Sequence, residues 1–176
     1  MIKNIFIYGM LSGGIVIGMM ITGFVLSDGK GAVTSQLVGY LIMLVALALV
    51  FVGIKRHRDH NLGGIIKFGT AFKMGLGIAA IAGFTYVGIW ETYLTLSEFD
   101  FIEKYTAGVI ESKKAKGLTG AELDALIANM AQLKENYAKP LFRLPMTFLE
   151  IFPLTAIIAL ISAVLLRNEK FMPARS

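Results

Sequence analysis

The chain has no cysteine, so it can form no disulfide and contains neither a thiol nucleophile nor a thiolate metal site. Charged residues make up only 16% of the sequence, whereas ordinary soluble domains have about 25%. It also lacks a hydrolase serine elbow, an H-E-x-x-H motif, a serine–histidine arrangement and a P-loop. We therefore expect a protein that is not an enzyme and that uses no cofactor and no metal.

Four long apolar stretches account for most of the 56% hydrophobic content, and they cover residues 5–26, 33–54, 74–96 and 146–166. A helix needs about 20 mostly apolar residues to cross a bilayer. The first stretch is longer than the apolar core of a signal peptide and has no clear cleavage site, so we interpret it as a retained span. The sequence predicts an all-α integral membrane protein whose four transmembrane helices form an up-down four-helix bundle.

Basic residues predict the orientation of these spans. The connection 55–73 carries five lysines and arginines against Asp59 alone, and further basic residues follow the N-terminus and the last span. Short basic connections next to span ends stay in the cytoplasm. We predict a multi-pass membrane protein with both termini cytoplasmic. The net charge of +5 forms no dedicated stripe, so we expect no nucleic-acid partner.

The segment 97–139 is predicted to be an extracytoplasmic insert that folds as an amphipathic helical hairpin. Gly117 is suited to end its first helix. Thr119 and Glu122 match a capping box at the start of the second helix, and Pro140 ends that helix. The hairpin has three interpretations: a cap over the bundle, a docking site for a partner, or an interfacial helix among lipid headgroups.

Small residues at four-residue spacing predict where the spans pack, because membrane helices associate through close backbone contact. Ordinary packing within the chain and homodimerisation through a glycine face of the first span both fit this pattern. The candidate helix-packing positions are Gly14 and Gly18 in the first span and Gly75, Ala79 and Gly83 in the third. Pro153 in the fourth span removes one backbone donor and frees the carbonyl of Leu149.

Two glutamates, Glu91 and Glu150, fall inside predicted spans, where an ionisable side chain suggests a functional site. Glu91 continues the small ridge of the third span, and both residues are predicted at similar depth near the extracytoplasmic end. We predict that the carboxyl groups face the bundle interior and lie within about 8 Å of each other, where only one ionises easily. Three interpretations stay open. Both glutamates lie at the membrane interface, solvated or paired with Lys139, Arg143 or a tyrosine; or they form a shared polar or ion site; or they couple protons or ions.

The run His57-Arg58-Asp59-His60 contains metal-ligand residue types, but no third ligand is evident in this basic connection. We interpret it as a solvated loop that borders anionic headgroups.

At these residues the chain resembles a bacterial membrane family known only as domain-of-unknown-function family 4199. The similar runs are FVGIKRHRD, GGIIKFGTAFKMG, YVGIWETY, DFIEKY and TFLEIFPLTAIIALISAVLLR. In the second run, Lys67 stands where the resemblance leads us to expect a small serine or threonine. The resemblance implies a four-span inner-membrane protein, and it supplies no activity, substrate or cofactor.

Together these patterns favour a non-enzymatic accessory or scaffold membrane protein. The alternative is a small proton- or ion-coupled carrier or channel subunit that uses the glutamate pair. The expected partners are the lipid bilayer, a second copy of the chain and another membrane protein.

Overall fold

The computed structural model describes residues 1–26, 36–98 and 100–174 of the chain. Within these ranges the chain is all-α and has no strand. The helices are α1 (Ile2–Leu26), α2 (Gln36–Asn61), α3 (Phe68–Leu96), α4 (Asp100–Ala115), α5 (Gly120–Tyr137) and α6 (Pro140–Leu166). The first three residues of the second predicted span, 33–35, lie outside the described ranges.

Three of the described helices are long and apolar enough to cross a membrane: Ile2–Val25, Phe68–Leu96 and Pro140–Leu166. Their outward faces carry many large exposed hydrophobic side chains, among them Phe6, Phe84 and Ile157. An apolar surface of this extent is typical of helices that face lipid. The chain therefore has the character of a membrane protein.

Helix α3 is central to the packing and contacts α6, α1 and α2, while α1 and α6 each also contact α2. Two hydrophobic clusters fill the interior. One includes Ile54, Met74 and Ile78 at the end of the bundle that holds the chain termini, which we call the terminal end. The other includes Ile17 and Trp90 at the opposite end, which we call the α4–α5 end.

Helices α4 and α5 pack against each other, and α5 also contacts α6. Helix α5 begins at Gly120 with Thr119 as its N-cap, as the sequence predicts, but the Thr119 side chain makes no capping hydrogen bond. The predicted capping-box bond is therefore wrong. The ring centroid of Phe101 in α4 lies 4.9 Å from that of Phe24 and 4.7 Å from that of Trp90. These contacts place α4 against the spans.

Small residues allow α3 to approach its neighbours closely. A Cβ atom added at Gly75 would lie 2.6 Å from that of Ala159, and one at Gly83 would lie 2.5 Å from the ring of Phe148, so both glycines face α6. Around Gly14 and Gly18, by contrast, the described part of the chain leaves open space. The packing role of these two glycines stays a prediction.

Gly13 offers a direct test of the contact between α1 and α3, because a Cβ atom there would overlap the carbonyl oxygen of Ala82. We expect Gly13→Ala to destabilise the protein by about 1–3 kcal/mol, since the backbones would have to separate. Gly88→Ala is the control, because space at Gly88 is open and alanine favours helix. Thermal unfolding in detergent measures both, and equal melting temperatures for the two variants would contradict the packing.

Two element boundaries differ from the sequence-based expectation. Helix α2 continues through the basic run to Asn61, so the prediction of a solvated loop over residues 57–60 is wrong. Helix α6 begins at Pro140, before the predicted span, and continues through Pro145 and Pro153. Proline is tolerated at the first helical position because the N–H that it lacks would be unpaired there anyway. Arg143 therefore lies on the first turn of α6.

Candidate functional site

The two candidate glutamates lie on helices that pack side by side, Glu91 on α3 and Glu150 on α6. Both are at the α4–α5 end of the bundle, because Tyr86, the partner of Glu150, belongs to the cluster around Trp90, and Arg143, the partner of Glu91, bonds to Tyr137 of that cluster. The depth of the two residues in a membrane stays a prediction. The separation of the two carboxyl groups stays a prediction.

Glu91 forms a bidentate ion pair with Arg143. The Nε and Nη2 atoms of Arg143 each donate to one carboxylate oxygen at 2.7 Å. The side chain of Arg143 is only 4% exposed and that of Glu91 is 26% exposed. Paired N–H donors in this fork geometry make the strongest type of protein ion pair and also fix the orientation of both side chains.

Arg143 extends this connection to the helix that precedes α6. Its Nη1 atom donates to the carbonyl oxygen of Tyr137, the last residue of α5, at 2.8 Å. The last carbonyls of a helix have no partner within that helix, so Arg143 satisfies one of them with a positive charge at the favourable end of the helix dipole. One side chain thus joins α3, α5 and α6.

The hydroxyl of Tyr137 completes the arrangement, because it accepts a hydrogen bond of 2.7 Å from the indole Nε1 of Trp90. Burial, together with the charges of Glu150 and Glu91, raises the pKa of Tyr137 to about 12, despite the opposing effect of Trp90 and Arg143. The phenol therefore stays protonated at physiological pH. The hydroxyl of Tyr137 is thus bonded to α3, and its carbonyl is bonded to α6.

Glu150 has a different environment. Its Oε2 atom accepts a hydrogen bond of 3.2 Å from the hydroxyl of the buried Tyr86 on α3. The same hydroxyl lies 2.9 Å from the sulfur of Met20 on α1. The side chain of Glu150 is otherwise exposed. The described contacts therefore join each glutamate to its own partner, an arginine for Glu91 and a tyrosine for Glu150.

Pro153 lies three residues after Glu150 within an unbroken α6. Within the described ranges, no group of three or more histidine, aspartate or glutamate side chains is arranged to hold a metal ion.

A second polar cluster, at the terminal end, was missed by the sequence interpretation. Arg58 of α2 is fully buried. Its Nε atom donates to Asp59 at 2.6 Å, and its Nη1 and Nη2 atoms donate to the carbonyl oxygens of Leu166, Phe171 and Met172. Asp59 also pairs with Lys55. The guanidinium thus holds the end of α6 and the residues that follow it.

Although burial opposes ionisation of Asp59, the hydrogen bonds and charges of Arg58 and Lys55 keep its pKa below the usual value. The interpretation of residues 57–60 as a loop did not distinguish Arg58 from Arg56 two residues earlier, which is exposed. If the run is instead treated as a helix, Arg56 and Arg58 are expected to differ in exposure, because residues two apart point to different sides of a helix.

Comparison with known protein families gives one match. The model of a family described as "Protein of unknown function (DUF4199)" matches residues 7–168, which confirms the predicted resemblance. Neither a curated protein nor a solved structure matches the chain.

Proposed function

The chain belongs to the DUF4199 family of proteins of unknown function, and we propose that it is a non-enzymatic accessory protein of the bacterial inner membrane. In this proposal four spans carry an extracytoplasmic helical hairpin, α4–α5, which is the contact surface for another membrane protein. The observation that carries the proposal is the Glu91–Arg143–Tyr137 connection. In this connection Arg143 pairs with the intramembrane Glu91, and the same arginine holds α5 on the spans through the carbonyl of Tyr137.

The proposed fourth span is α2, which supplies an uncharged apolar run over residues 37–54. The start of α1 and the end of α2 lie together, since Arg56 donates to the hydroxyl of Tyr8 at 3.5 Å. Helix α2 therefore returns alongside α1. Two spans that run in the same direction, α1 and α3, need such a return between them, which supports four spans with both termini on one side.

Single-cysteine labelling tests this topology on a natural background without cysteine. Asn129→Cys on exposed α5 should react with a membrane-impermeant maleimide in intact cells. His60→Cys, exposed at the end of α2, should react only after the cells are permeabilised. The reverse pattern would contradict the orientation, and labelling of both sites in intact cells would contradict the placement of a single span, α3, between them.

The exposed side of α5 is where we expect the partner to bind. Ala125 and Ala128 are exposed and lie three residues apart on that helix. A photo-crosslinking amino acid at either site should give a defined adduct in cells, and the same amino acid at Asn168 should not. The adduct should weaken in Glu91→Ala, where α5 loses its attachment. An adduct of twice the protomer mass would identify a second copy as the partner.

A second candidate function, a small proton- or ion-coupled carrier or channel subunit, has one observation in its favour. Glu150 is exposed and is held by a single tyrosine hydroxyl, unlike the arginine-paired Glu91. Flux through proteoliposomes separates the two functions. A pH gradient that dissipates with wild type but not with Glu150→Gln would favour coupling. Equal flux in protein-free liposomes, wild type and Glu150→Gln would favour the accessory function.

A further inference from the structure

Six cationic side chains are exposed at the terminal end of the bundle, and together we call them the terminal basic surface. They are Lys3, Arg56, Lys67, Lys73, Arg167 and Lys170. None of the six forms an ion pair with a carboxylate in the described part of the chain. The exposed acidic side chain described at this end is Glu169, whereas Asp59 is partly buried between Lys55 and Arg58. The surface therefore has a strong excess of unneutralised positive charge.

The α4–α5 end is built differently, because four of its described cations form ion pairs with acids. The pairs are Lys104 with Asp100, Lys134 with Glu103, Lys139 with Glu135 and Arg143 with Glu91. Three exposed lysines at the turn between α4 and α5, namely Lys113, Lys114 and Lys116, form no ion pair with a described carboxylate. They provide a matched control for charge removal.

Apolar side chains accompany the cations along the segment that leads into α3. Leu62 is 41% exposed, Ile65 55% and Phe68 37%, whereas Ile66 between them is buried in the core. Lys67 and Lys73 are exposed on the same short segment. Exposed apolar groups next to exposed ammonium groups fit the boundary between lipid tails and headgroups, where lysine keeps its charge in water and buries its stem.

We infer that the terminal basic surface binds anionic phospholipids, with the segment from Leu62 to Lys73 at its centre. The cations meet the phosphate groups of a negatively charged leaflet, and the three exposed apolar side chains meet the acyl chains. A nucleic acid would satisfy the charge but would leave those apolar side chains in water. Each lysine or arginine near an anionic membrane surface raises affinity about five-fold.

Lys67 allows the surface charge to be changed without loss of the fold. It is the N-cap of α3 in extended conformation, and it makes no side-chain capping hydrogen bond. Serine at an N-cap accepts a hydrogen bond from a free backbone N–H of the first turn. Lys67→Ser should therefore raise the melting temperature while it removes a cation, so weaker lipid binding in this variant is not a sign of unfolding.

The test is native mass spectrometry of the purified protein, incubated with equimolar phosphatidylglycerol and phosphatidylcholine that have identical acyl chains. Wild type should retain phosphatidylglycerol in preference to phosphatidylcholine. The variant Lys67→Ser/Lys73→Gln should lower the ratio of the two retained lipids about five-fold for each cation removed. The control Lys113→Gln/Lys114→Gln removes the same charge from the opposite end and should leave the ratio unchanged.

Two outcomes would overturn the inference. Wild type could show no preference for phosphatidylglycerol, or the lipid ratio could fall equally in Lys67→Ser/Lys73→Gln and in the control variant. The second would mean that net charge, and not this surface, attracts the lipid. The inference rests on the proposed membrane placement of the spans but not on the accessory function. The lipid readout and the α5 crosslinking readout can therefore fail independently.

Discussion

Arg58→Ala is expected to be among the most destabilising substitutions in the chain, with a loss of about 3–5 kcal/mol. The fully buried guanidinium donates to the carboxylate of Asp59 and to the carbonyl oxygens of Leu166, Phe171 and Met172. Its removal leaves these carbonyls without their donor and frees the residues after α6. For a protein of this size such a loss lowers the melting temperature by roughly 6–20 °C, which thermal unfolding in detergent measures.

The matched control is Arg56→Ala, two residues earlier on the same helix. Arg56 is exposed and makes one long hydrogen bond to Tyr8, so its loss should change stability by no more than about 0.5 kcal/mol. Arg58→Lys should also destabilise, because an ammonium group lacks the planar fork that reaches several acceptors at once. Similar melting temperatures for Arg58→Ala and Arg56→Ala would contradict the role of Arg58.

The second large effect is expected at the ion pair between α3 and α6. Glu91→Ala leaves the buried Arg143 without its counter-charge, and breaking one partner of such a pair costs about 3–5 kcal/mol. Replacing both partners removes the uncompensated charge. The loss of unfolding free energy in Glu91→Ala/Arg143→Leu should therefore be much smaller than the sum of the losses in the two single variants. A double-mutant cycle of unfolding free energies measures this difference directly.

The control for this cycle is the exposed pair of Lys139 with Glu135, which is also close to the start of α6. Exposed pairs contribute about 0–1 kcal/mol, so Glu135→Ala should have little effect. An additive cycle at Glu91 and Arg143 would show that the pair is not coupled, and the proposed attachment of α5 would then be wrong.

Much of this architecture could be predicted from residue patterns. The apolar stretches indicated the three helices that can cross a membrane. Four-residue spacing marked Gly75, Ala79 and Gly83 as a packing ridge, and Gly75 and Gly83 lie against α6. The glutamates stood out because charge is rare within spans. These features are local, since length, composition and four-residue spacing determine them.

The partners of the charged groups could not be predicted, because tertiary packing decides them. Arg143 was one of several possible partners of Glu91, and only the early start of α6 at Pro140 brings its guanidinium to α3. Arg58 looked like a solvated residue among other basic residues. Its burial depends on the return of the chain after α6, which lies more than a hundred residues away in sequence.

The pairing also changes how the two glutamates are to be understood. A carboxylate already held by two hydrogen bonds from an arginine is suited to join helices, whereas Glu150 retains an exposed side chain. The accessory or scaffold hypothesis thus depends on Glu91, and the carrier hypothesis depends on Glu150. Substitutions at Glu91 test the first, and substitutions at Glu150 test the second.

Hydrogen exchange in detergent, compared between wild type and Glu91→Ala, tests the central claim that the Glu91–Arg143 pair holds α5 on the spans. Loss of the pair should speed exchange through residues 120–142, while amides of α1 and α3 at the terminal end keep their protection. Unchanged exchange in α5, with Glu91→Ala folded, would contradict the claim.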